Sequence, residues 1–252
     1  MKSEEYNESF TAIAPYYDAL MSFINYPSWV SYIETILRLN DIQGKTILDL
    51  ACGTGVCLEL WWQKEYKVIG LDMSRSMLQV CKRRFPQSIQ SDICLINGDM
   101  RNFALAKKLP IITCLYDSLN YILTEKDLLK CFKSVHDTLE DAGIFIFDMN
   151  TEYCLRYEWG NSTFHRHDEN MHSIWSNSFD PINSISSLNI TLNIREDGNI
   201  KTIKESHKER GYSLVTVTDL LSDVGFTFSL YKHLTFKTAH ERDLRVMGVA
   251  RK

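Results

Sequence analysis

The stretch Asp49-Leu50-Ala51-Cys52-Gly53-Thr54-Gly55 decides the fold. It closes a short apolar and β-branched run, residues 46–52, and leads into Val56, Leu58, Leu60 and Trp61, whose spacing is helical. The order is strand, tight turn, helix. Glycines at 53 and 55 accept positive φ and let a ligand touch the backbone where a Cβ would obstruct it. Asp49 precedes the turn, near the carboxyl end of the strand, where open α/β sheets collect their ligands.

The unit recurs along the chain. Residues 66–71 form a second strand ending at Asp72, and Ser74 is placed to cap a helix running from about Met77 to Arg84. Residues 93–96 make a third strand ending at Asn97-Gly98-Asp99, followed by a strand over 111–116, a helix over 125–140 and a strand over 144–147. Strands that alternate with helices predict a parallel sheet covered on both faces. Upstream, Ile33, Ile36, Leu37 and Leu39 give residues 6–40 one or two helices.

Beyond Asn150 the periodicity changes to two. Met171, Ser173, Trp175, Asn177 and Phe179 alternate with their neighbours, as do Leu188, Ile190, Leu192 and Ile194, which marks antiparallel strands. Glu196-Asp197-Gly198-Asn199 is the turn into a third strand near 200–209. The chain then resumes the core pattern with a helix over 218–223, Gly225 at a left-handed cap, and strands near 226–236 and 244–250. The expected organisation is a core of residues 1–151 and 211–252 interrupted by a β-meander over 152–210.

Bulk properties narrow the function. At 252 residues there is room for one large α/β domain with an appendage. The net charge of −4, with basic residues only in short groups such as Lys82-Arg83-Arg84, disfavours a nucleic-acid partner. Seven cysteines at scattered positions lack metal-ligand spacing and suit reduced thiols. The polar start, Met1 to Glu5, carries no signal-peptide pattern, and no long apolar run exists to span a membrane, so a cytoplasmic location is expected.

Three acids, Asp49, Asp72 and Asp99, end three successive strands around a Gly-x-Gly turn. This constellation resembles that of the class I S-adenosylmethionine-dependent methyltransferases, small-molecule subgroup, similar to glycine and aminosugar N-methyltransferases. The resemblance runs from Tyr16 to about Asn150 and returns over the last 40 residues. It implies an α/β fold of Rossmann-like type, a seven-stranded sheet with an N-terminal helical lid and the inserted meander as a cover. It further implies that Gly53 and Gly55 hold the methionine half of S-adenosylmethionine. Asp72 would accept the ribose hydroxyls, through charge-assisted bonds contributing roughly 1.5–3 kcal/mol each. Asp99 would accept from the adenine amino group, with Met73 and Met100 packed on the ribose and adenine faces. In Tyr16-Tyr17-Asp18, Tyr17 inherits a contact with the methionine end; Trp29 is a further cofactor candidate, though Trp29 and Tyr32 also read as core.

The acceptor side is less defined. The loop Tyr116-Asp117-Ser118-Leu119-Asn120-Tyr121 follows the fourth strand, where the family places residues facing the transferred methyl group. Tyr116 is assigned to the cofactor, and Tyr121 and Asp117 to the acceptor, although an Asp in such a loop also reads as its organiser. His207 with Arg210 is similar to a His-x-x-Arg of the subgroup. His165 and His167 share a strand face, but no acidic or cysteine ligand stands at a suitable spacing and no metal is expected. Arg242 and Arg245, near the C-terminal strand, could bind an acidic acceptor or decorate an edge, and the edge is the preferred reading. A small-molecule methyl acceptor, through N or O, is the expected partner. Two alternatives stay open: a nicotinamide-dependent oxidoreductase, weakened because the third glycine of GxGxxG is Leu58 here, and a non-catalytic cofactor-binding protein.

Overall fold

The computed structural model describes residues 6–90, 93–168, 170–196 and 198–252. Two short helices open it, α1 (Tyr17–Leu20) and α2 (Tyr26–Leu39). Then come β1 (Thr46–Leu50), α3 (Val56–Gln63), β2 (Lys67–Asp72), α4 (Arg75–Arg84), β3 (Cys94–Asn97), β4 (Leu109–Cys114), α5 (Glu125–Thr138) and β5 (Leu139–Asn150). Four antiparallel strands follow: β6 (Thr163–His167), β7 (Met171–Asp180), β8 (Ile185–Glu196) and β9 (Asn199–Arg210). The chain ends with α6 (Leu214–Val224), β10 (Thr227–Lys232) and β11 (Arg245–Arg251).

The main sheet has the order β10-β11-β5-β4-β1-β2-β3, with β11 antiparallel between β5 and β10. Its central strands are buried on both faces, so successive residues enter different cores. Ile47 joins Trp61 and Ile33 under α2 and α3, whereas Leu48 joins Phe132 and Leu221 under α5 and α6. The strand order reverses between β1 and β4, and the crevice outside their carboxyl ends is the topological switch point.

Local chemistry fixes the ends of the helices. Ser74 Oγ accepts from Met77 N and starts α4, and Gly225, at φ 97°, ends α6 in the left-handed conformation. α6 begins earlier than the helix expected at 218, because Ser213 accepts from Thr216 N and starts it at Leu214. In the second sheet the order is β6-β7-β8-β9. Glu196 pairs with Asn199 around Gly198 at φ 78°, as the turn signal predicts; Asp197, like Met1 to Glu5, lies outside the described residues.

The N-terminal segment is fastened to both sheets. Ile13, Leu20 and Met21 pack on Leu192, Ile194 and Ile203 of the second sheet. Glu205, fully buried on β9, accepts four backbone N–H groups, from Phe10 (2.6 Å), Thr11 (3.0 Å), Ala12 (2.6 Å) and Ile13 (3.0 Å). Charge-assisted bonds of this kind satisfy an otherwise costly buried carboxylate. On the other side Asp18 accepts from Thr54 Oγ1 of the glycine turn and pairs with Arg84. Among the described residues no helix is long and apolar enough to cross a membrane.

Candidate active site

A cavity of about 900 Å³ lies between the carboxyl edge of the main sheet, the N-terminal segment and the inner face of the second sheet. That is room for a cofactor and a small second molecule.

One wall comes from β1, β2, β3 and the loops after them. Gly53, at φ 56°, lines the cavity, and a Cβ added there would meet nothing within 4 Å, so the backbone is open to a ligand. Asp72 accepts from Gly53 N (2.8 Å) and Ser74 N (2.7 Å), which ties the glycine turn to the start of α4. A carboxylate offers about four lone-pair sites, so two remain for ligand hydroxyls. Burial raises Asp72 above the usual carboxylate range, and these two N–H donors oppose the rise. Asp49 is buried and accepts from Thr113 Oγ1 at 2.6 Å; burial pushes its carboxyl up to about 7 against that bond. Asp99 lines the cavity but is already gripped by Arg101, at 2.6–3.0 Å, which holds it below its ordinary value. Met73, Met100, Tyr17 and Tyr116 also line the cavity.

These residues fit S-adenosylmethionine: an open glycine backbone, a carboxylate with free lone pairs one strand over, and apolar Met73 and Met100 on the same cavity lining. The third strand's acid offers only what Arg101 leaves.

The opposite wall is built from the β4 loop and β9. Tyr121 Oη lies 3.2 Å from His207 Nδ1, and His207 Nε2 lies 3.4 Å from Glu205 Oε2 without the alignment of a hydrogen bond. Burial, then the charges of Glu209 and Asp117, raise the Tyr121 phenol, so it stays protonated and is the natural donor to Nδ1. In that assignment the imidazole proton sits on Nε2, toward Glu205. Phe10 stands between the walls, with ring centroids 4.8 Å from His207 and 5.2 Å from Tyr121, while its carbonyl accepts from Ser74 Oγ.

Asp117 lines the cavity and also organises its loop, the second of the two readings offered for it: it sits at φ 53°, pairs with Arg245 at 2.9 Å and accepts from Asn150 Nδ2 at 3.1 Å. Arg245, expected on an exposed edge, is 16% exposed at its side chain. It also pairs with Asp148 (2.6 Å), lies over the rings of Tyr116 and Trp29, and lines the cavity. Burial pushes Asp148 up to about 6 although Arg245 draws it down.

Three further expectations are corrected. Trp29 does not line the cavity; it is buried behind Tyr116, at 5.9 Å, and against His233, at 4.7 Å. Gly55 does not line it either. It caps α3 at φ 81°, and a Cβ there would stand 2.3 Å from Cys81 Sγ, so its constraint is packing. Arg210 turns away to Leu123 O (3.1 Å) and Glu125 (3.0 Å). His165, His167 and His172 stack on the outer face of β6 and β7, with His167 and His172 4.2 Å apart; among the described residues no group of three metal-ligating side chains is placed to hold an ion.

The sequence reading missed Glu209, which is buried, lines the cavity and shares Asn150 with Asp117 (3.2 Å to Glu209). Burial, then the nearby charge of Asp117, raise its carboxyl. It also missed Glu205 and Phe10. The available signal was the period of β9, where Glu205, His207 and Glu209 occupy the positions that face inward.

A seven-stranded sheet of this order, with an open glycine turn and acids at the switch point, defines the class I methyltransferase plan. Comparison with known proteins agrees. Residues 47–143 match the family described as a methyltransferase domain. A crystal structure of an S-adenosylmethionine-dependent methyltransferase from Clostridium acetobutylicum superposes with a TM-score of 0.85 at 28% identity, covering 95% of this chain and 97% of that one. A Geobacillus protein with a provisional methyltransferase name is 27% identical over 249 residues, 97% of this chain and 100% of its own. The dTDP-3-amino-3,4,6-trideoxy-alpha-D-glucopyranose N,N-dimethyltransferase of Streptomyces venezuelae is 30% identical over 124 residues, 49% of this chain and 50% of its own. The chain is a class I S-adenosylmethionine-dependent methyltransferase.

Proposed function

We propose that this enzyme methylates an amino group of a small hydroxylated acceptor, of the sugar-amine class, held between the β4 loop and the second sheet. The observation that carries the proposal is the pairing of half-buried Tyr121 with buried His207 on the wall facing the cofactor residues, backed by Glu205. The similarity to an aminosugar N,N-dimethyltransferase supports the acceptor class.

Bound S-adenosylmethionine supplies an electrophilic methyl group on a sulfonium. The chain's task is to align the acceptor's lone pair with it and exclude water, and positioning of that kind is worth ~7–11 kcal/mol. The strands of the insert, 152–210, serve as the acceptor's cover. An amine that arrives protonated must lose a proton first. The Tyr121 oxygen can take that proton as its own hydroxyl proton passes to His207 Nδ1, and the Glu205 carboxylate beside Nε2 stabilises the imidazolium.

Tyr121→Phe tests this. It removes the relay but leaves the cofactor wall intact, so kcat for amine methylation falls about 100-fold with S-adenosylmethionine affinity unchanged. Measured as S-adenosylhomocysteine released from aminosugar acceptors, an unaltered kcat removes Tyr121 and the relay from the account.

A further inference from the structure

The inner face of the second sheet carries a polar group that the site described so far does not use. Register places Asn177 of β7, Leu188 of β8 and His207 of β9 in one row, all three lining the cavity. Asn177 is 8% exposed, and its backbone N–H is spent on Ser162 O at 2.8 Å. Among the described residues neither its Oδ1 nor its Nδ2 has a hydrogen-bond partner. A buried amide left with both a donor and an acceptor unpaired is costly to the free protein, and rare.

We propose that Asn177 is a specificity-determining residue that binds a hydroxyl of the acceptor on the side remote from the amine that is methylated. The inference rests on the methyltransferase reading above. A hydroxyl both donates and accepts, matching the two free atoms of the amide. Asn177 and His207 are two strand spacings apart, about 10 Å, so a molecule touching both ends is larger than a simple alkylamine. Between them Leu188 offers an apolar floor. Trp175, two residues before Asn177 on the same face, offers a flat wall whose indole N–H is already bonded to Ser173 Oγ at 2.8 Å. Apolar faces flanked by polar ends suit a pyranose ring.

The test compares the wild-type protein with Asn177→Leu, which keeps the branched shape and removes the amide. Titrations use S-adenosylmethionine alone. They are then repeated, with S-adenosylhomocysteine bound, using methyl 3-amino-3-deoxy-α-D-glucopyranoside and its monodeoxy analogues. The proposal predicts that the variant melts at the same temperature or higher, because no hydrogen bond is lost, and binds the cofactor as before. It also predicts that the parent sugar binds about 10- to 100-fold more weakly to the variant. One monodeoxy analogue shows the same loss on the wild-type protein and no further loss on the variant. Equal sugar binding by the two proteins overturns the proposal, as does a variant with a lowered melting temperature and weakened cofactor binding, which marks Asn177 as structural. Failure of the wild-type protein to bind any of these sugars while it binds S-adenosylhomocysteine also overturns it. Failure to bind the cofactor would instead overturn the reading on which it rests.

Discussion

The cofactor wall takes its side chains from three strand ends between Asp49 and Met100, each fixed by its own turn, whereas the acceptor wall gathers Tyr121, Asn177, His207, Glu209 and Arg245 from four separate stretches. On the first wall backbone geometry does the work: a glycine at φ 56°, and a carboxylate accepting two N–H groups beside it. On the second, Arg245 holds the buried carboxylates of Asp117 and Asp148, and the Asn150 amide donates to Glu209. One wall is thus fixed by local rules at its strand ends, and the other by ion pairs between segments distant in sequence.

The sharpest way to break that contrast is Arg245→Met. It leaves two buried carboxylates without their cation, and removal of one partner of such a group costs about 3–5 kcal/mol. Urea denaturation should show a loss of that size, and a change under about 1 kcal/mol would mean the acceptor wall does not rest on the ion pairs. A smaller effect separates Asp49 from its neighbours. Its folded carboxyl, near 7, lies above the unfolded value, so the folded protein holds an extra proton between roughly pH 4 and 7. The stability this contributes is complete at low pH and is lost as pH rises through 7. Asp49→Asn should therefore flatten the melting-temperature profile between roughly pH 4 and 7. A cationic methionine end seated beside Asp49 would also draw its proton off, so cofactor titration at pH 6.5 in two buffers should report release of up to roughly one proton, absent in the variant. Release that is equal in both proteins would place the cation elsewhere. The smallest effect concerns Trp29. Because it stands behind Tyr116 and outside the cavity, Trp29→Phe should change cofactor affinity by less than about twofold, and a tenfold loss would return it to the site.

The contrast also explains what the sequence disclosed. The positions of Asp49, Gly53, Asp72 and Asp99 were readable because each lies within three residues of a strand's end, which the apolar run before it marks. The Asp99–Arg101 clasp was not, since nothing in Asn97-Gly98-Asp99-Met100-Arg101 says which way the guanidinium turns. Gly55 and Trp29 looked like ligand residues because conformational freedom and aromatic character serve packing equally well. Arg245 sits at the start of an edge-like strand, and only the sheet order, with β11 inserted beside β5, brings it to Asp148 and Asp117. Glu205, His207 and Glu209 were open to recognition from period two alone. Three polar residues on the face that Leu188, Ile190 and Leu192 make apolar in the neighbouring strand signal a site rather than a solvated surface.

The most direct test of the central claim is calorimetric titration of the wild-type protein and Asp72→Ala with S-adenosylmethionine, and of the wild-type protein with NADH. The wild-type protein is expected to bind the sulfonium cofactor and not NADH, and the loss of two charge-assisted bonds to weaken binding in the variant by at least about 100-fold. Binding of NADH alone, or equal cofactor affinity in the two proteins, would contradict that claim.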